Sequence, residues 1–130
     1  MNQLRQVKVA ASLLSIGVIT GAFGAHSLKA VLTADQLSSW KTAVLYLFIH
    51  ALGMLVVSGM SVGDKKIRLQ SFYLFLIGIF CFSGSIFLLT LQDTLGLDLS
   101  WLGPITPIGG LQFILGWLNL LRLTSQPDDH

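Results

Sequence analysis

Four long runs without a charged residue divide the chain, at 9–28, 42–63, 69–92 and 99–121. They hold twenty, twenty-two, twenty-four and twenty-three residues. The runs are continuous in their apolar character rather than alternating, as in Phe72-Tyr-Leu-Phe-Leu-Ile-Gly-Ile-Phe-Cys-Phe82. An α-helix needs about 20 mostly apolar residues to cross a hydrocarbon core, and inside lipid its backbone polar groups must be satisfied within the segment. A membrane β-barrel would instead show alternating segments of about ten residues. The pattern therefore predicts an all-α polytopic membrane protein with four antiparallel transmembrane helices. The expected spans are approximately 7–28, 39–61, 69–91 and 104–123, in a single domain over 1–130. No run carries a polar face wide enough for a helix that faces water. The short connections near 29–37 and 63–68 make successive spans antiparallel neighbours.

Composition points the same way. Of the 130 residues 53% are hydrophobic and only 11% charged, where a soluble domain carries about 25% charge. This excludes an ordinary water-soluble domain, and also disorder, which requires low hydrophobicity and high charge. A net charge of +2, scattered along the chain, lacks the basic stripe of a nucleic-acid binder. The lone Cys81 excludes an internal disulfide and a multi-cysteine metal centre. The first apolar run exceeds the 7–15 residues of a signal-peptide core, so it is expected to remain as a span. The polar tail 124–130, with Pro127, is expected to fray.

Positive charge sets the expected orientation. Four spans put both termini and the middle loop on one side, with Arg5, Lys8, Lys65, Lys66, Arg68 and Arg122; the other side has Lys29 and Lys41, with Asp35, Asp93 and Asp98. The bias predicts that both termini are cytoplasmic. Trp40 and Trp101 then fall near the outer interface, where such rings prefer to sit.

The candidate chemistry lies inside the spans. Gly17 and Gly21 form a small-xxx-small pair that lets a second helix approach, and Gly24 extends that surface. His26 lies within a turn of the outer end of the first span. His50 is ten residues past Trp40, roughly 15 Å deeper at about 1.5 Å per residue, near the midplane. An ionisable residue there should face the bundle interior. Thr42, Tyr46 and His50 are four apart and share a helix face, with Gly53 three residues on. The Tyr46 hydroxyl, one turn from the imidazole, would extend a polar stripe. The stripe reads either as a satisfied buried network or as a ligand, proton or metal site. Two histidines make a poor metal site, since zinc takes three or four protein donors, and no carboxylate lies deep in any span. No metal and no cofactor are expected.

In the third span Ser83, Gly84 and Ser85 permit close packing and interhelical hydrogen bonds. Cys81, lacking a cationic neighbour in sequence, reads as an inert thiol. In the fourth span Thr106 is the expected N-cap and Pro107 the first helical residue. Pro104 and the Gly109–Gly110 pair predict an early kink or a close helix crossing. His26, Ser83, Ser85 and Thr106 share the outer half of the bundle with His50 just beneath, compatible with a small cavity opening outward.

The series Gly21-Ala-Phe-Gly-Ala-His26-Ser-Leu28, Trp40-Lys-Thr-Ala43 with Tyr46, His50-Ala-Leu-Gly53, Phe82-Ser-Gly-Ser85, and Thr106-Pro-Ile-Gly-Gly110 with Gly116-Trp117 resembles the DUF423 family of small bacterial membrane proteins. Their eukaryotic relatives are the transmembrane protein 256 group. The resemblance covers essentially the whole chain and implies a four-helix inner-membrane protein of this length. It supplies no reaction, and no catalytic residue can be carried over; His26, Tyr46 and His50 match motif positions without an assigned role.

The sequence thus leads to a non-enzymatic membrane protein that binds a lipid or small apolar ligand, or supports a partner complex, with membrane lipids as its expected partners. No nucleophile–base–orienter set can be assembled. Two alternatives remain open. An oligomeric transporter or channel would place the Gly17–Gly21 or Phe82–Ser85 surface at a subunit interface. A redox accessory would hold haem, a quinone or a metal between His26 and His50.

Overall fold

The computed structural model describes residues 1–124; most of the tail expected to fray lies outside the described residues. The architecture is a helical bundle. Helix α1 spans Gln3–Ala25 and α2 spans Ala34–Gly59. The next helix runs as α3 (Lys65–Gly78), a π turn (Ile79–Gly84) and α4 (Ser85–Leu95) without a break. Helix α5 covers Ile105–Leu120, and no strand occurs among the described residues.

Polar residues at the run boundaries start and stop the helices. The Asn2 carboxamide accepts from the Arg5 amide at 2.9 Å at the start of α1. Thr33 and Gln36 form a reciprocal capping box on α2, at 3.2 and 2.9 Å, satisfying two amides that the first turn leaves free. Asp64 caps α3 through the Lys66 amide at 2.7 Å. Gly96 ends α4 in the left-handed conformation, φ 67°, which only glycine adopts without cost, and the Leu97 amide closes back on the Gln92 carbonyl at 3.0 Å.

Three helical stretches are long and apolar enough to cross a membrane: Gln3–Ala30, Ala34–Gly59 and Lys65–Leu95. Helix α5, at 16 residues, extends about 24 Å at ~1.5 Å per residue. It is thus shorter than the expected fourth span, 104–123, and a separate single turn at Ser100–Leu102 precedes it.

Cross-links fix which helix ends meet. At one end Gln3 donates to the Ser58 carbonyl at 2.8 Å and Asn119 to the Ile67 carbonyl at 3.0 Å. At the other the Trp40 indole donates to the Thr20 carbonyl at 2.8 Å and Gln36 to Asp93 at 3.2 Å. The path is up–down–up–down, with the start of α1 and the end of α5 at the same end. Trp40 departs from its expected position in an interfacial belt. It is buried, its ring tilted against Phe87 and seated over Gly24, where a Cβ would come within 2.7 Å of the indole.

The core is a narrow seam of Leu47, Ala51, Met54, Phe72, Phe75, Ile79 and Phe113, with Ala10 and Leu13 from α1. Around it the bundle's outside is apolar: Val18, Ile19, Val56, Ile77, Phe80, Leu111 and Ile114 are all exposed. A water-soluble monomer exposes contiguous apolar surface of at most a few hundred Å². An outer surface this apolar fits hydrocarbon, where association relies on close packing and interhelical hydrogen bonds instead.

Candidate functional site

Close approach of backbones organises the interior. A Cβ at Gly17 would fall 2.6 Å from Leu47, and one at Gly53 would fall 3.1 Å from Trp117 and 3.3 Å from Phe75. At Gly109 it would overlap the Phe82 amide and lie 2.7 Å from the Cys81 carbonyl carbon. Here α5 rides on the backbone of the third helix, and the third helix widens into its π turn. Gly21, Gly84 and Gly110 are different: a Cβ there would make contacts of 3.5, 3.8 and 3.9 Å, ordinary van der Waals distances. Two glycines outside the expected packing set are also tight: a Cβ at Gly78 would sit 2.5 Å from Phe113, and one at Gly116 would sit 2.6 Å from Phe75.

The serines of the third helix serve this crossing. A π turn disturbs the regular ladder, and the Ser85 hydroxyl reaches back to the Cys81 carbonyl at 2.6 Å. Thr106 on α5 meets the same hydroxyl at 2.6 Å, so the two hydroxyls pin α5 to the turn. Ser83 donates to the Ala43 carbonyl of α2 at 2.7 Å. Thr106 is therefore not the N-cap of α5. Pro104 holds that position, and Thr106 lies in the first turn. Pro107 is tolerated there because first-turn amides have no intrahelical partner.

His50 lies deeper, 3% exposed. Its Nδ1 is 2.7 Å from the Tyr46 carbonyl, and Trp117 Nε1 donates to its Nε2 at 3.0 Å. An indole N–H only donates and a carbonyl only accepts. The two contacts together define a neutral imidazole with the proton on Nδ1. The ring stacks on Phe113 with centroids 3.5 Å apart, and Phe75 lies at 5.5 Å. The expected stripe is thus present in altered form: the Tyr46 main chain, not its hydroxyl, is the partner, while the half-exposed Tyr46 ring lies against Phe82 at 4.7 Å. His26 stands apart from this group, exposed at the C-terminal end of α1. Among the described residues no cluster of His, Cys, Asp or Glu could hold a metal ion.

An open space does lie at the end of the bundle where α2 begins, though it differs from the cavity expected. A cleft of about 490 Å³ lies between α2, α4 and the start of α5. It is lined by the polar residues Asp35, Gln36, Ser39, Thr42, Thr90, Gln92 and Thr106 and by the apolar Ile86 and Leu89. Thr106 is the one expected site residue that lines it; His26, Tyr46, His50, Ser83 and Ser85 do not. The other cleft residues carry no sequence signal beyond polarity at helix ends. Thr42 alone belonged to the expected stripe.

An all-helical chain with an apolar exterior, long apolar helices and polar atoms paired across helices is a helical integral membrane protein. The family model described as "Protein of unknown function (DUF423)" matches residues 20–110, and the chain belongs to that family. A UPF0382 membrane protein of Staphylococcus haemolyticus is 40% identical over 114 residues, 87% of each chain. The UPF0382 membrane protein YwdK of Bacillus subtilis is 38% identical over 114 residues, 85% of each chain. One from Haemophilus influenzae is 38% identical over 103 residues, 79% of each chain. No solved structure matches the chain.

Proposed function

We propose that this protein is a non-enzymatic, four-span inner-membrane protein that binds a polar-headed lipid in the cleft between α2, α4 and α5. The observation that carries the reading is the cleft itself, which sets hydroxyls and one carboxylate, Asp35, beside the apolar Ile86 and Leu89. Among the described residues no Lys or Arg lines it, so it suits a headgroup that donates hydrogen bonds, an amine or a polyol, with its chain along Ile86 and Leu89. Its volume lies in the range of small-ligand pockets, about 300–1,000 Å³.

The paired state of the deeper polar groups supports binding over catalysis. Both nitrogens of His50 are taken, and the Ser83 and Ser85 hydroxyls face main-chain carbonyls. A nucleophile needs a base within hydrogen-bond reach, and these serines have none. The surfaces that the channel reading requires are engaged within one chain, Gly17 against Leu47 and Phe48, the Phe82 backbone against Gly109. Orientation follows the positive-inside rule: the end carrying Arg5, Lys8, Lys65, Lys66, Arg68 and Arg122 faces the cytoplasm, which places the cleft in the outer leaflet. Helix α5, with the turn before it, completes the fourth crossing.

Site-specific photocrosslinking tests the reading. A benzophenone residue at Ser39 should capture one lipid class well above its share of the membrane; the same probe at exposed Val18 should capture lipids in proportion to their abundance. Identical lipid profiles at the two positions would overturn the proposal.

A further inference from the structure

At the opposite end of the bundle α1 packs on α2 and leaves a crevice towards α3. Two pockets lie along it. One, of about 300 Å³, is bounded by the end of α2 and by Gln3, Gln6, Lys65 and Arg68. The second, of about 470 Å³, is lined by Met1, Arg5, Lys8, Val9 and Tyr73. Together they present four cations, and no carboxylate is among their lining residues in the described part of the chain.

Several side chains there are already held in place. Gln3 donates to the Ser58 carbonyl at 2.8 Å and the buried Gln6 to the Met1 carbonyl at 3.0 Å. Arg68 donates from Nη1 to the Met60 carbonyl, which fixes the guanidinium over the end of α2, and its Nε is buried without a partner. A guanidinium offers five donors; a single carbonyl leaves most of that capacity unmet. Tyr73 is one turn beyond Leu69 on α3, so the crevice runs from a polar, cationic mouth towards an aromatic and aliphatic wall.

We propose that this crevice binds an anionic phospholipid of the leaflet at that end, its phosphate between Lys65 and Arg68 and its glycerol and chains passing Arg5, Lys8 and Tyr73. Charge complementarity carries the inference. Two pockets bounded by α1 and α3 each carry two cations, no acid is among their described lining residues, and basic pockets between helices on the cytoplasmic side suit anionic headgroups. The site is independent of the outer cleft, which is lined by hydroxyls and an acid; either can fail without the other.

The test uses the full-length protein, delipidated in mild detergent and titrated separately with phosphatidylglycerol, phosphatidylcholine and inorganic phosphate, with bound species counted by native mass spectrometry. Phosphatidylglycerol should bind with one tight site and phosphatidylcholine without it. Each cation near a membrane surface contributes a factor of roughly five, so Lys65→Gln with Arg5→Gln should weaken phosphatidylglycerol binding by about 25-fold. Among the described residues neither side chain makes a hydrogen bond, so this variant does not risk the fold as Arg68→Gln does. Lys29→Gln with Lys41→Gln, at the other end, should leave binding unchanged. Equal binding of the two lipids, an unaffected Lys65→Gln/Arg5→Gln variant, or tight binding of inorganic phosphate in place of the lipid would each overturn the proposal.

Discussion

Replacing Trp117 by Phe removes the one donor to His50 Nε2, a bond of 3.0 Å to a ring that is 3% exposed. A buried acceptor left unpaired costs about 1–3 kcal/mol. His50→Leu has the converse effect and strands the indole N–H. In the double variant neither group remains to be satisfied. The two single losses should therefore sum to more than the double loss. Interhelical side-chain bonds in membranes show couplings averaging about 0.6 kcal/mol and reaching about 1.7. This pair, flanked by Phe113 at 3.5 Å and Phe75 at 5.5 Å, belongs at the upper end, since its alternatives to pairing are apolar. The assay is equilibrium unfolding of the four proteins in mixed micelles, followed by far-UV circular dichroism because one variant alters a tryptophan. A coupling above about 1 kcal/mol is expected. Additivity within about 0.3–0.5 kcal/mol, the scatter of independent sites, would refute the assignment of the His50–Trp117 bond as a structural lock.

Other outcomes follow from the same geometry. Gly109→Ala places a methyl on the Phe82 and Cys81 backbone, atoms that cannot swing aside, and should destabilise by about 1–3 kcal/mol, whereas Gly110→Ala, with its nearest contact at 3.9 Å, should be neutral or raise stability by up to ~1 kcal/mol through helix propensity; thermal melting of the two variants reads the contrast. Ser85→Ala removes the hydroxyl that serves the Cys81 carbonyl and Thr106 and should cost about 1–3 kcal/mol by leaving buried polar groups unpaired, measured by the same unfolding assay. In the loop after α4 the Ser100 hydroxyl at 2.7 Å holds the Asp98 carboxyl below its ordinary range. Its stabilising effect is present at neutral pH and is lost as pH falls through that lowered value. Ser100→Ala should move the Asp98 titration upward in a carbon-13 NMR experiment; an unmoved titration would remove the hydroxyl as the cause.

The helices were legible because charge and capping residues punctuate them. Thr33 and Gln36, Asp64, and Gly96 stand where the apolar runs begin and end, and each makes a local contact that sequence neighbours can specify. The π turn was not legible; it lies where Gly109 of α5 meets the Phe82 backbone, a contact between distant segments. His50 could be placed at depth from its distance to Trp40, yet its partner Trp117 lies 67 residues away and carries no periodic relation to it. Tyr46 offered a hydroxyl at the right spacing, but helix geometry put its carbonyl closer to the ring. Gly78 and Gly116 did leave a signal: glycine inside a helix costs about 1 kcal/mol against alanine, and such a residue usually has a packing reason. The cleft was hidden for a different reason. Asp35, Gln36, Ser39 and Gln92 look like ordinary residues of a membrane interface until α2 and α4 are set side by side.

The decisive measurement for the outer cleft as the ligand site is native mass spectrometry of the protein released gently from its own membrane, compared with Ser39→Phe, which fills the cleft, and His50→Gln, which alters the midplane. The account predicts one retained lipid species on the wild-type protein, lost from Ser39→Phe and kept on His50→Gln. An adduct that survives Ser39→Phe and disappears from His50→Gln would contradict it and return the ligand site to the bundle core.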